Sequence, residues 1–344
     1  VWARPALLAI AGVAALAYAW GIDGDTLEPF YGAAARSMSS SWHDFFFGAF
    51  DPAGTVSIDK LPGALWPQAL SLRIFGFHIW AIVLPQVLAG VLTVLVLYRV
   101  MQRLAGPVAG IAAAAVLAAS PVTVALNRGN VEDSLLILLL VLAADATVSA
   151  AISGRLRSLI LAGVWVGLAF QAKMLEAWLV LPALAVAYLV AAPGPARVRV
   201  QHVAIAGLVT VVVSLSWMTV VSLVPAGERP YVDGTLENSV FAQVFEHNGI
   251  ARLESGQASA GAGRPAEFLA QIAASGGTAN HLAEHVAASW HRLLNGLYGR
   301  DIGWLVPAAV IAAVGVLLAR RRRPRRDLPR TSVLLWGTWL LTLW

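Results

Sequence analysis

The sequence has no cysteine among its 344 residues. That excludes a disulfide framework and a thiolate metal centre, and it leaves the redox compartment open. Charge is scarce as well. Asp, Glu, Lys and Arg supply 12% of the chain against 58% hydrophobic residues. A soluble domain carries about a quarter charged residues, so a water-solvated globule is excluded. A mean hydropathy of +0.72 fits a polytopic membrane protein instead. The balance that remains is basic, with a net charge of +5 and a pI near 10.

What is present is a series of apolar runs. Residues 5–20, 79–98, 107–126, 134–153, 156–172, 176–192, 202–224 and 303–319 each approach the length that crosses a bilayer as a helix. The expected class is therefore all-α, polytopic and integral to a membrane. Residues 61–77 are apolar but hold two prolines and Arg73, and read as a juxtamembrane helix. Residues 331–344 read as the start of another span, and the chain as C-terminally incomplete. Ala17-Tyr18-Ala19 has the small-x-small spelling of a cleavage site. The polar loop after it returns to further spans, so an uncleaved first span is expected. Gly106-x-x-x-Gly110 and Gly163-x-x-x-Gly167 read as close helix contacts.

Charge orients these spans. Arg4, the pairs Arg99/Arg103, Arg155/Arg157 and Arg197/Arg199, and the seven arginines between Arg320 and Arg330 fall on one side. Seventeen of the 19 acids fall on the other or at its loops. The positive-inside rule makes the arginine side cytoplasmic. The run Ala319–Arg326 (ARRRRPRR) could suggest nucleic acid. At the end of a span it reads better as a cytoplasmic stop meeting anionic lipid, so no nucleic-acid partner is expected. Within the spans only Asp145 is ionisable, near a cytoplasmic end, where it should snorkel or pair locally. Ion-coupled transporters need ionisable groups at membrane depth. Their scarcity moves the expected chemistry to the outer interface.

The expected division is a membrane part over 1–224, with a first extracytoplasmic loop over 22–78, an extracytoplasmic region over 225–302, and further spans over 303–344. Residues 22–66 carry six acids (Asp23, Asp25, Glu28, Asp44, Asp51, Asp59) against Arg36 and Lys60. Tyr31, Ala35, Met38 and Trp42 recur at helical spacing, which predicts an amphipathic helix lying in the membrane interface. Thr26 and Pro29 suit its cap and first turn, with Asp25 and Glu28 near its positive end. Further polar clusters fall at outer span ends: residues 127–133 (NRGNVED), Lys173 with Glu176, and residues 228–231 (ERPY). Together with Asp59-Lys60 they should gather cations and carboxylates at one level. His281-Leu282-Ala283-Glu284-His285 spells H-x-x-E-H, a zinc-binding pattern, but reads better as the polar face of an interfacial helix. Residues 256–263 (GQASAGAG) read as a flexible connector that could lie over an acceptor site.

Several stretches carry a resemblance: Glu28-x-x-Tyr31, the run ending SWHDFFFGAFDPAG, IDKLPGALW, NRGNVEDSLLILLLVLAA, QAKMLEAWLVLPAL, ERPYVDG, FEHNGIARL and DIGWLVPAA. They resemble the membrane-embedded GT-C glycosyltransferases over nearly the whole chain. The likeness is to bacterial members of glycosyltransferase family 39, which includes protein O-mannosyltransferases and the lipid A aminoarabinose transferase, in an actinobacterial-type branch. The resemblance implies a polyprenyl-phosphate-linked sugar donor and an acceptor that is protein, lipid or polysaccharide. It also implies inverting transfer at the outer face of the cytoplasmic membrane. A carboxylate must then accept the acceptor's proton, and cations must hold the leaving phosphate.

Asp59 matches the family's acid before Lys-Pro, although Leu61 stands where proline is usual, and it ranks first as catalytic residue. The family's other acid lies four residues before the tyrosine, where this chain has Leu27; the nearby Glu28 and Asp25 rank next. Lys60, Arg128, Lys173 and Arg229 are the candidates for the donor phosphate. Tyr31, Asn130, Asp133, Tyr231 and Asn248 are the candidates for substrate contact. No protein metal ligand is expected from spacing, although a divalent ion (Mg or Mn) could be shared between acids and a phosphate. The rival readings are a transporter or lipid flippase, and a membrane scaffold without catalysis.

Overall fold

The computed structural model describes residues 2–25, 27–250, 303 and 305–343. Among these residues there is no strand, only the isolated bridges Ala49–Ser57 and Val56–Tyr231. The helices are α1 (Ala3–Ala19), α2 (Pro29–Ser40), α3 (Trp42–Phe47), α4 (Trp66–Phe75), α5 (Ile79–Ala105), α6 (Pro107–Ala119) and α7 (Pro121–Arg128). They continue with α8 (Asp133–Ser153), α9 (Leu156–Lys173), α10 (Leu181–Ala191), α11 (Ala196–Ser222), α12 (Leu305–Ala319) and α13 (Leu328–Leu343). A 3₁₀ turn over Met174–Val180 precedes α10, and a π-helix covers Ala242–Ile250.

Among the described residues five stretches are long and apolar enough to cross a membrane: Ala3–Gly24, Ile79–Ala105, Asp133–Ser153, Leu156–Ala191 and Ala196–Ser222. The fourth runs to 36 residues, but it is not one rod. Met174 has φ 48° and ψ −133°, and there the chain reverses. Leu159 at the start of α9 and Tyr188 at the end of α10 consequently share one cluster with Ala150 and Ala206. The 3₁₀ turn plus α10 rises about 30 Å at ~2.0 and ~1.5 Å per residue, enough to cross again. The two spans expected over 156–172 and 176–192 are both there. The single span expected over 107–126 is instead broken. α6 and α7 meet at 60° around Ser120, because Pro121 disfavours helical backbone at the residue before it.

Packing follows small residues. A Cβ on Gly163 would meet the Ala206 carbonyl oxygen at 2.5 Å, and one on Gly167 would meet Val213 Cβ at 2.5 Å. α9 therefore lies against α11 at the close approach expected of that glycine pair. Gly110 likewise packs on Tyr98 of α5, at 2.9 Å. Gly106 does not share that role; it takes φ +89° at the turn between α5 and α6 and meets nothing. Asp145 pairs across helices, with Arg99 Nη2 at 2.5 Å and Arg103 Nη1 at 3.1 Å. That double pairing gives a buried carboxylate the partners it needs.

The face of Tyr31, Ala34 and Met38 on α2 packs on Ile58, Leu65 and Ala69, joining α2 to α4. Trp42 does not belong to that face. α2 ends at Ser40, Ser41 caps α3 by accepting from the Asp44 N–H at 2.9 Å, and Trp42 is exposed. The cap of α2 is Glu28, whose Oε2 accepts from the Tyr31 N–H at 2.9 Å, with Pro29 at the first helical position as expected. Thr26, residues 251–302 and with them His281, Glu284, His285 and the connector 256–263 lie outside the described residues.

Candidate active site

A short loop delivers Asp59 and Lys60. The Asp51 carboxylate accepts from the N–H groups of Ala53, Thr55 and Val56 at 2.9, 3.0 and 3.1 Å, and from the Thr55 hydroxyl at 2.7 Å. The Thr55 hydroxyl leads these bonds in holding the Asp51 carboxyl below its ordinary range. Gly48 and Gly54 take φ +68° and +65°, which closes the turn at little steric cost. Gly63 then presses against the end of α9. A Cβ there would stand 2.4 Å from the Gln171 carbonyl oxygen, so only glycine lets this loop reach α9 near Lys173.

Lys60 lands in a mostly buried cluster. Its Nζ lies 2.6 Å from Glu132 Oε1, donates to the Tyr31 hydroxyl, and sits 4.9 Å from the centre of the Tyr31 ring. Glu132 stands at the N-cap position of α8, without a side-chain capping bond, and Asp133 begins the helix, where the dipole favours acids. Lys173 closes α9, where the dipole favours a cation, and its Nζ lies 2.7 Å from Asp133 Oδ1 and 3.3 Å from Glu176 Oε2. The end of α9 and the loop before α4 thus set two lysines against the two adjacent acids that start α8.

Burial alone would lift the Glu132 carboxyl, but the charge and hydrogen bond of Lys60, with the charge of Lys173 behind them, together leave it below the ordinary value. Tyr31 is pushed far up, by burial first and then by the charges of Glu132 and Asp59. Its hydroxyl therefore stays neutral. Because it accepts from the Lys60 ammonium, its own proton is left for another acceptor.

Asn130 and Glu28 hold the α7–α8 turn. The Glu28 N–H donates to Asn130 Oδ1 at 2.7 Å, and Asn130 Nδ2 returns a bond to the Glu28 carbonyl at 3.0 Å. Gln68 Nε2 donates to the Asn130 carbonyl at 3.1 Å, and Gln86 Nε2 to that of Val131 at 3.0 Å. On the other side Asn248 Nδ2 donates to the Asp59 carbonyl at 2.8 Å. Gln243 Nε2 bonds the carbonyls of Ile58 and Asp233 at 2.8 and 3.0 Å. The π-helix thereby fixes the Asp59 backbone, a common use of that geometry near functional sites.

The expected convergence is partial. Tyr31, Lys60, Asn130, Asp133 and Lys173 come together, with Glu28, Asp59 and Asn248 bound to the same scaffold. Arg128 and Asp25 form a separate pair. Arg128 Nη2 lies 2.7 Å from Asp25, while Nη1 donates to the carbonyls of Ala17 and Trp20 at 3.0 and 2.7 Å, capping α1. Arg229 is engaged by Asn238, with two bonds of 2.8 Å. Tyr231 pairs with residues 55–57 and donates its hydroxyl to the Thr235 carbonyl at 2.6 Å. The cations of separate loops do not all meet, because Arg128 is held by Asp25 and Arg229 by Asn238, away from the two lysines.

Glu132 is the residue that motif reading passes over, in favour of Asn130 and Asp133. Its signal was present as two successive acids at a helix start, but only burial tells which of the two takes Lys60. Among the described residues no group of three or more His, Asp or Glu could hold a metal ion. Glu132, Asp133 and Asp25 are each committed to a cation, so this donor set does not fit a divalent ion.

Comparison with known proteins agrees with this architecture. Residues 59–218 match the family described as dolichyl-phosphate-mannose-protein mannosyltransferase. The chain is 40% identical over 241 residues to "Putative mannosyltransferase YkcB" of Bacillus subtilis (strain 168), a match covering 70% of this chain and 34% of that protein. It is 39% identical over 229 residues to "Putative mannosyltransferase YycA" of the same organism, covering 67% and 33%. The chain thus spans about a third of the length of these curated relatives. Its fold superposes on the crystal structure of the Archaeoglobus fulgidus oligosaccharyltransferase tethered with an acceptor peptide. The TM-score is 0.59 at 14% identity, over all of this chain and 47% of that one. The chain is a multi-pass membrane protein that shares the fold of that oligosaccharyltransferase and, over residues 59–218, is similar to the mannosyltransferase family.

Proposed function

We propose that the protein transfers a sugar, with mannose the first candidate from the names of its relatives, from a polyprenyl-phosphate donor to an acceptor at the extracytoplasmic face of the cytoplasmic membrane. The observation that supports this reading best is the mostly buried set of Lys60, Glu132, Asp133 and Lys173 beside Asp59. In this reading residues 1–224 form the membrane part that holds the donor, and 225–302 lie on the acceptor side. Asp59 takes the proton of the acceptor hydroxyl as its oxygen attacks the anomeric carbon. The bond to the phosphate breaks on the opposite face, which inverts the centre. Lys60 and Lys173 stabilise the charge that grows on the leaving phosphate, with Arg128 and Arg229 acting at longer range. Tyr31, Asn130, Asp133, Tyr231 and Asn248 frame the two substrates, and Glu28 and Asp25 are the second and third choices for the base.

The test uses membranes carrying the protein and a labelled polyprenyl-phosphate mannose. Asp59→Asn should lower turnover by about 10²–10⁴-fold, the usual contribution of a general base. Glu28→Gln should cost far less, since Glu28 Oε2 serves as a helix cap. Wild-type turnover in both variants, with insertion intact, would remove the catalytic reading of this loop.

A further inference from the structure

We propose that the arginine-rich end of the bundle, remote from the candidate active site, holds one anionic phospholipid. Its chain would lie in a crevice between α9, α10 and α11, and its phosphate at the mouth of that crevice.

The crevice encloses about 150 Å³. A dry apolar cavity of about that size accepts a benzene-sized group, so it has room for part of an acyl chain. Its walls are helical stripes. Leu159, Gly163 and Val166 come from α9, Leu184 from α10, and Val203 and Gly207 from α11. Gly207 and Val203 are only half-buried, so the crevice opens on the lipid-facing side of α11.

One wall group asks for a partner. Thr147 of α8 lines the crevice and is fully buried, yet its Oγ1 has no hydrogen-bond partner. A buried hydroxyl in that state costs free energy until something supplies a bond. Thr147 sits six residues before the end of α8, roughly 9 Å below it at ~1.5 Å per residue. A lipid whose phosphate sits at the mouth would bring its ester oxygens, not its phosphate, toward this hydroxyl.

The mouth carries the charge. Helical spacing extends the same stripes to Arg155, one turn before Leu159, and to Arg199, one turn before Val203. Arg199 is 8% exposed, its Nη1 donates to the Leu189 carbonyl, and its Nε has no partner. Tyr188 and His202 adjoin it, with Tyr188 Oη 2.6 Å from His202 Nδ1. Among the described residues no carboxylate lies within 4.0 Å of Arg155 or Arg199; Asp145 is held by Arg99 and Arg103, and Asp327 by Arg320. Positive charge at the mouth, a buried hydroxyl in the wall and an apolar slot together match a lipid's own parts. A free phosphate would use only the first of them.

The test is lipid retention by the full chain, purified in detergent and measured by native mass spectrometry against equal phosphatidylglycerol and phosphatidylcholine. One phosphatidylglycerol should be retained in preference. Arg155→Gln should lower its retention about fivefold, the effect of one basic residue near a lipid surface. Gly207→Leu should abolish it by filling the slot. A Cβ at Gly207 meets nothing within 4 Å, so this variant is expected to fold. Leu208→Ala, on the lipid-exposed face beside it, should change nothing. Equal retention of the two lipids, or retention unaffected by both Arg155→Gln and Gly207→Leu, would overturn the proposal. So would displacement of the lipid by millimolar inorganic phosphate, which would mark a simple anion site.

Discussion

Lys60 is held at once by a carboxylate, a phenol and an aromatic face, while only 13% of its side chain is exposed. Its partner Glu132 is more deeply buried, with 6% exposure. Breaking a buried pair from one side costs more than the pair contributes, because the remaining charge stays uncompensated. Lys60→Met should therefore destabilise the protein by about 3–5 kcal/mol. Lys60→Met combined with Glu132→Gln should recover part of that loss, read from thermal unfolding in detergent. The pair also makes a pH signature. Glu132 ionises below its ordinary 4.5 in the folded chain, so its stabilisation is complete above about 4.5 and is lost as pH falls through the folded value. Glu132→Gln should flatten the dependence of melting temperature on pH in that acid window. An unchanged slope would mean that Glu132 does not carry the coupling.

Among the elements, the reversal at Met174 decides how the bundle closes. Without it α9 and α10 would form one apolar rod. Met174 holds a backbone conformation with φ 48°, which L side chains rarely adopt, while its side chain is buried in the main core. The two effects separate by substitution. Met174→Ala should lose about 2–5 kcal/mol of packing and keep the strain. Met174→Gly loses the same packing but releases strain of order 1–3 kcal/mol. Glycine should thus melt higher than alanine here, the reverse of their order inside a helix. The broken pair α6–α7 has a related consequence: its bend brings Arg128 back under α1, where it caps Ala17 and Trp20 instead of joining the lysines.

For the whole molecule, the sign of charge separates the two ends of the bundle. One end holds Asp59, Glu132, Asp133 and Glu176 around two lysines, and the other holds the arginine pairs and the run after α12. The absence of native cysteine makes orientation directly measurable. A cysteine placed at the exposed Ala53 should react with an impermeant maleimide in intact cells. One at Arg322 should react only after permeabilisation. The opposite pattern would put the Lys60 cluster inside and exclude an extracytoplasmic site.

Composition and the period of apolar runs determined the class and the approximate spans, because a bilayer imposes length rules on each segment separately. The same locality exposed the acids of the first loop, the glycine contact of α9 with α11 and the acidic pair that starts α8. Tertiary structure alone decided which charges meet. Pairing depends on where loops return and which acid is buried, so Lys60 took Glu132, Lys173 took Asp133, and Arg128 was drawn away to the end of α1.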